Sequence, residues 1–230
     1  MAVTWPLITF CKGKQSFKMK LLLTSAGITN ESIAKSFFEL AGKPASDLKV
    51  AFIPTAGNAQ AGNKVSWFFR QAEDLRRIGI TWIDMIDFAD ADVDWRARLN
   101  ECDVLYLTGG NTFYLLDQIR KQGFDTYLQE VLASKVYVGG SASSITMTPR
   151  IDVAAVPPGD PNLPGLTNLT GLGYVDFEIE PHCDEPRFET VEIYANKHGK
   201  KIYAIDDQTA IKVVDDTVEV VSEGKWRLFE

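Results

Sequence analysis

The sequence predicts a three-layer α/β protein built on a doubly wound, mainly parallel sheet, with an antiparallel hairpin added near its C-terminal end. Three observations carry that reading. Continuous Val/Ile/Leu runs recur through the first two-thirds of the chain, too unbroken for strands with one face in water. Helical patterns separate those runs, the alternation expected of a parallel sheet covered on both sides. The last third instead brings short strand-like runs close together, with turn residues between them.

Element by element, "KLLLTSAG" (20–27) is an apolar run closing on small residues, and Ile33, Phe37, Leu40 and Ala41 behind it mark one face of a helix. "KVAFIPTAG" (49–57) is the second run, followed by a helical pattern across 63–78. "TWIDMIDF" (81–88) alternates, as a strand nearer a sheet edge does. "DVLYLTGGN" (103–111) is the third buried run, with helical stretches from Thr112 to Gln122 and from Asp125 to Ala133. "KVYVGGSAS" (135–143) is the fourth. Residues 152–171, "DVAAVPPGDPNLPGLTNLTG", have no period, and a loop of that length inside a compact domain is usually functional or disordered. "YVDFEIEPH", "KKIYAID", "TAIKVV" and "TVEVVS" then read as strands, with Asp215-Asp216 marking a hairpin that extends the sheet.

The chain's 230 residues show no repeat, low-complexity tract or linker, so one domain over 19–230 is expected. Residues 1–18 read as an N-terminal extension or an upstream start. They carry no basic residue ahead of their apolar patch and no small-residue cleavage site, which argues against a secretory signal. No apolar run is long enough to span a bilayer. A net charge of −7 without any basic run argues against nucleic acid or an anionic membrane as partner, since both want a positive face. Cys11, Cys102 and Cys183 are odd in number and lack CxxC spacing, which suits a reducing cytoplasm.

Ligands of such sheets sit beyond the carboxyl ends of the strands. Three strands here end in small-residue turns: Ser25-Ala26-Gly27, Gly109-Gly110-Asn111 and Gly139-Gly140-Ser141. The last, in "YVGGSASS" (137–144), is open to two readings. It is either a strand-to-helix turn in which serine caps the helix, or a nucleophile elbow that lifts one hydroxyl above the sheet. A serine nucleophile needs a base, and the sequence has two histidines. His198 lies in the polar turn "NKHGKK"; His182 ends the apolar run "YVDFEIEPH" and should emerge at a strand end, as base or as a packed loop residue. His182-Cys183-Asp184 has neither a second histidine at i+4 nor a cysteine pair, so no metal and no cofactor are expected.

"TGGNTFYLL", "YVGGSAS" and "FEIEPH", in that order, resemble the dipeptidase E (α-aspartyl dipeptidase) family of serine peptidases, relatives of cyanophycinase. The resemblance runs from about Lys20 to the end and includes "TSAG", "FIPTAG" and "YAIDDQTAI". It implies a flavodoxin-like sheet related to class I glutamine amidotransferases, and a cytoplasmic hydrolase that cleaves small peptides with N-terminal aspartate, as monomer or homodimer. By the same resemblance Ser141 matches the nucleophile, His182 the base, and Gly110 and Ala142 the oxyanion N–H donors, while Asn111 completes the G-G-N loop beside the substrate. The triad acid is implied in the irregular loop between serine and histidine. Asp160, in the proline-braced "PPGDPN", is expected there, with Asp152 as the fallback. Ser143 departs from the family pattern, which has glycine after S-A. It reads either as a tolerated small-for-small exchange or as a cause of a slightly opened turn, and the latter would suit a silent or specificity-shifted member binding a small acidic ligand or a partner. Arg187, the nearest basic residue after His182, is a candidate for a substrate carboxylate, with a surface ion pair to Glu185 or Glu189 as the alternative.

Overall fold

The structure is a computed structural model that describes residues 19–60 and 66–230. The expected N-terminal extension and the start of the helix expected at 63 lie outside the described residues. Within them, β1 (Lys20–Thr24), β2 (Lys49–Ile53), β3 (Trp82–Met85), β4 (Val104–Leu107) and β5 (Val136–Gly140) run parallel in the order β3-β2-β4-β5-β1. Beyond β1 the hairpin of β8 (Thr209–Val214) and β9 (Thr217–Ser222) continues the sheet antiparallel, to seven strands. The alternating run lies at the edge, where Trp82 and Met85 of β3 are exposed.

The pleat of each strand feeds two cores. Leu21, Leu23, Leu105 and Tyr137 face one layer, containing α3 (Trp95–Asn100), α4 (Thr112–Gln122) and α5 (Phe124–Val131), whose Trp95, Leu115, Ile119 and Phe124 join them. Leu22, Val50, Phe52 and Val138 face α1 (Glu31–Ala41) and α2 (Ser66–Arg77), which contribute Ile33, Phe37, Leu40 and Leu75. Each such side chain, removed from water, stabilises the fold by about 1.5–3 kcal/mol. That is why uninterrupted apolar strands read correctly as doubly covered ones.

The remaining strands form a second sheet. β6 (Glu178–Glu180) pairs parallel with β7 (Ile202–Ile205), and β10 (Trp226–Phe229) pairs antiparallel on the other side of β7. The crossover between β6 and β7 is α7 (Glu185–His198), a helix the strand-rich reading of the tail passes over. Its punctuation is nevertheless in the sequence: Asp184 caps the first turn by accepting from the Arg187 N–H, Pro186 follows, and Gly199 ends the helix at φ 58°. Among the described residues no helix is long and apolar enough to cross a membrane.

Candidate active site

β1, β4 and β5 are neighbours, so their carboxyl ends share one rim, and β6 and β7 deliver theirs to the same place. The tightest of these exits follows β5. Ser141 has φ 53° and ψ −111°, a conformation rare for a residue with a side chain, and its N–H is pinned to the Thr24 carbonyl at 3.0 Å. The four-residue helix α6 (Ala142–Ile145) starts at once behind it. A Cβ on Gly139 would stand 2.9 Å from the Ser144 N, so the strand can bear no side chain where the chain doubles back. The turn is that of a nucleophile elbow. Ser143 does not open it: the residue is fully buried and its hydroxyl donates to the Thr108 carbonyl at 2.5 Å.

Facing Ser141 is His182, carried past the end of β6 at φ 58°. Its Nε2 lies 2.9 Å from the Ser141 Oγ, and its Nδ1 lies 2.6 Å from Oδ1 of Asp207, in the turn between β7 and β8. Ser25, at the end of β1, ties these parts together. Its buried hydroxyl donates to Asp207 Oδ1 at 2.8 Å and accepts from the His182 backbone N–H at 2.8 Å. A hydroxyl has one proton and two lone pairs, so both roles are compatible. The His182 hydrogen bond, with help from Ser25 and the charge of Arg70, holds the Asp207 carboxyl below its ordinary value although partial burial opposes the shift.

The acid expected at Asp160 is therefore not at the imidazole. The proline-braced loop does hold Asp160 firmly, but it aims the carboxylate at α4, where Oδ2 accepts from the Thr112 N–H and hydroxyl, each at 2.7 Å. This satisfies a donor at the start of α4 that has no partner within the helix. Asp152, the fallback, forms a bidentate pair with Arg150, at 2.6 and 2.9 Å. The side chain of Asn111 is engaged within the loop and helix. Its buried amide caps α4 by accepting from the Tyr114 N–H and donates to the Pro161 carbonyl. The structure brings two further residues to His182, Asp207 and Ser25. In sequence Ser25 lies on the rim, whereas Asp206-Asp207 looks like ordinary turn chemistry.

Gly110 and Ala142 border the elbow, and neither backbone N–H has an acceptor among the described residues. Gly110 has φ 142°, and a Cβ there would lie 2.2 Å from the Ala56 carbonyl, so only glycine fits. In front of Ser141 opens a cleft of about 570 Å³ whose wall includes Gly110, Asp160, Glu180, His182, Asp184 and Arg187. Arg187 pairs not with Glu185 or Glu189 but with buried Glu180: its Nε and Nη2 both donate to Glu180 Oε1, and its Nη1 donates to the Pro157 carbonyl at 2.7 Å.

Residues 21–221 match the sequence profile of Peptidase family S51. The chain belongs to that family. An S51 peptidase is a serine-type peptidase, and a serine on an elbow with a histidine against its hydroxyl is what this chain presents. The S51 assignment is seconded by an uncharacterized peptidase of Listeria monocytogenes, 32% identical over 168 residues, spanning 70% of this chain and 80% of that protein. A "Probable alpha-aspartyl dipeptidase" of Drosophila melanogaster is 24% identical over 60% of each chain. A crystal structure of a Listeria monocytogenes EGD-e protein, assigned provisionally to peptidase E, superposes with a TM-score of 0.75 at 26% identity and covers 90% of this chain and all of its own.

Proposed function

We propose that this S51 peptidase is an exopeptidase that removes an N-terminal aspartate from dipeptides and short peptides, using Ser141, His182 and Asp207. The observation that carries the reading is the unbroken chain of contacts from the Asp207 carboxylate through the imidazole to the Ser141 hydroxyl, at 2.6 and 2.9 Å. In that arrangement Asp207 keeps the proton on Nδ1, leaving Nε2 free to take the hydroxyl proton as Ser141 attacks the peptide carbonyl. The N–H groups of Gly110 and Ala142 receive the charge that develops on the carbonyl oxygen. The imidazolium then gives its proton to the departing amine, and water, activated by the same nitrogen, releases the acyl group from Ser141.

The preference for aspartate is supported by the family resemblance and by Arg187, a guanidinium in the cleft wall that keeps N–H groups beyond those given to Glu180 and Pro157. A silent-member reading draws on Ser143 in the elbow and on an unsettled triad acid; against it stand the Ser143 hydroxyl paired to the Thr108 carbonyl and Asp207 at the imidazole. Hydrolysis of Asp-Leu by wild type and by Ser141→Ala tests the proposal. The variant should lose at least about a thousandfold in kcat, as loss of a triad nucleophile does elsewhere. Equal rates would overturn the mechanism. A panel of Asp-X, Glu-X and Asn-X dipeptides tests the preference.

A further inference from the structure

Beneath the elbow, on the α1–α2 side of the sheet, lies a buried polar side chain that the hydrolytic steps do not use. Gln71 of α2 is 5% exposed, in the layer that also holds Leu22, Phe52, Leu75 and Val138. Its Nε2 donates to the Ala26 carbonyl at 3.3 Å, whereas its Oε1 is buried and has no hydrogen-bond partner among the described residues. An amide oxygen left unpaired in such a place is costly, and an apolar side chain of the same length would avoid the cost. The exception calls for a duty other than packing. Two glycines of the rim make room for it. A Cβ on Gly27 would stand 3.2 Å from the Gln71 Cγ, and one on Gly140, just before Ser141, would stand 3.3 Å from its Nε2. The amide therefore lies against both the turn after β1 and the exit of β5.

The turn after β1 carries Ser25, whose hydroxyl joins Asp207 to the His182 backbone. The chain around Ser25 is held on both sides. Ahead of it, the Thr24 carbonyl accepts from the Ser141 N–H at 3.0 Å and from the Ser144 hydroxyl at 2.8 Å. Behind it, the Ala26 carbonyl accepts from Gln71. We propose that Gln71 is a positioning residue of the triad. By holding the Ala26 peptide against the Gly140–Ser141 exit, it fixes the Ser25 hydroxyl, and through that hydroxyl the Asp207–His182 pair that faces Ser141. This deepens the triad reading and rests on it. Without the amide the Ala26 peptide can rotate, Ser25 shifts, and the imidazole loses its alignment with the nucleophile. A misplacement of about 1 Å at a reacting group can cost a hundredfold in rate.

The rate at which a fluorophosphonate labels Ser141 reports how far the triad activates the hydroxyl, whatever peptide the enzyme prefers. Gln71→Met keeps the length and fills the same space. It should label about tenfold more slowly than wild type. It should also melt close to wild type, because the lost hydrogen bond is offset by removal of the unpaired oxygen. Ser25→Ala should slow labelling too, and the double variant should be no slower than Ser25→Ala alone, since Gln71 acts through that hydroxyl. A residue that merely packs would instead give losses that multiply. Multiplying losses would overturn the assignment, and so would a Gln71→Met rate equal to wild type. Gln71→Leu repeats the comparison should the methionine variant fold poorly. Failure of wild type to label at Ser141 would overturn the triad reading and the positioning role together, whereas normal labelling of both wild type and Gln71→Met would defeat the positioning role alone.

Discussion

The β7–β8 turn brings a carboxylate to the imidazole of His182, the end of β6 brings another to the cleft wall, and the two behave in opposite ways. Asp207 is half-exposed and takes the hydrogen bonds of His182 and Ser25 on Oδ1, and its carboxyl is held below the ordinary value. Glu180 is buried, engaged on one oxygen only, and its carboxyl is raised. What separates them is burial: each takes two donors on one oxygen, but Glu180 is cut off from water and Asp207 is not. A carboxylate in reach of water stays ionised and can act as a fixed negative post for an imidazole, whereas a buried one keeps its proton to higher pH.

The largest expected effect lies on the Asp207 side. Asp207→Asn keeps the shape but presents an amide to Nδ1, which favours the wrong tautomer, and kcat for Asp-Leu should fall by about a thousandfold or more. A smaller fall for Asp207→Asn than for Asp160→Asn would break the comparison and return the acid to the proline-rich loop. Ser25→Ala removes one hydrogen bond from Asp207 and leaves the His182 N–H without an acceptor. It should lower kcat roughly tenfold with little change in KM, and the acid limb of the kcat/KM profile should move with it. An unchanged profile would reduce Ser25 to packing.

The sign of the pH effect separates the two acids further. Because the folded value of Asp207 is depressed, its stabilisation is present above its ordinary 3.8 and is lost as pH falls through the folded value. Glu180 runs the other way. Below its ordinary 4.5 it contributes nothing, and from there to about 7 the unfolded chain ionises while the folded one holds its proton, so stability declines as pH rises. The groups that act on it there are Arg187 on α7, His182 beyond β6 and Asp160 in the long loop. Thermal melts should show wild type losing stability between pH 4.5 and about 7 relative to Glu180→Gln. Parallel curves would remove the contrast. The smallest effect is expected at Ser143→Gly, within about threefold of wild-type kcat, since only the bond to Thr108 is lost.

Much of this was legible in the sequence because it is local. Apolar runs report strands covered on both faces, and Gly139-Gly140 before Ser141 reports a chain that must turn without room for side chains. His182 was legible as a polar residue ending an apolar run. Asp207 was not, because its role depends on β8 crossing to pair with β1, which brings the β7–β8 turn over Ser25. No period or spacing encodes that pairing. Asp160 misled for the same reason. The prolines around it do specify a rigid turn, but rigidity gives no direction, and the carboxylate accepts from the N–H and the hydroxyl of Thr112 at the start of α4.

The backbone at the elbow has a consequence for evolution and engineering. Ser141 and His182 both occupy positive-φ conformations that cost a side-chain-bearing residue about 1–3 kcal/mol each. The two positions that most need their side chains are thus the two at which the fold would gain by losing them. Ser141→Gly should melt above Ser141→Ala, both being inactive, because only glycine escapes the penalty. Selection for heat resistance alone would therefore drift toward a sturdier protein without the hydroxyl at this position.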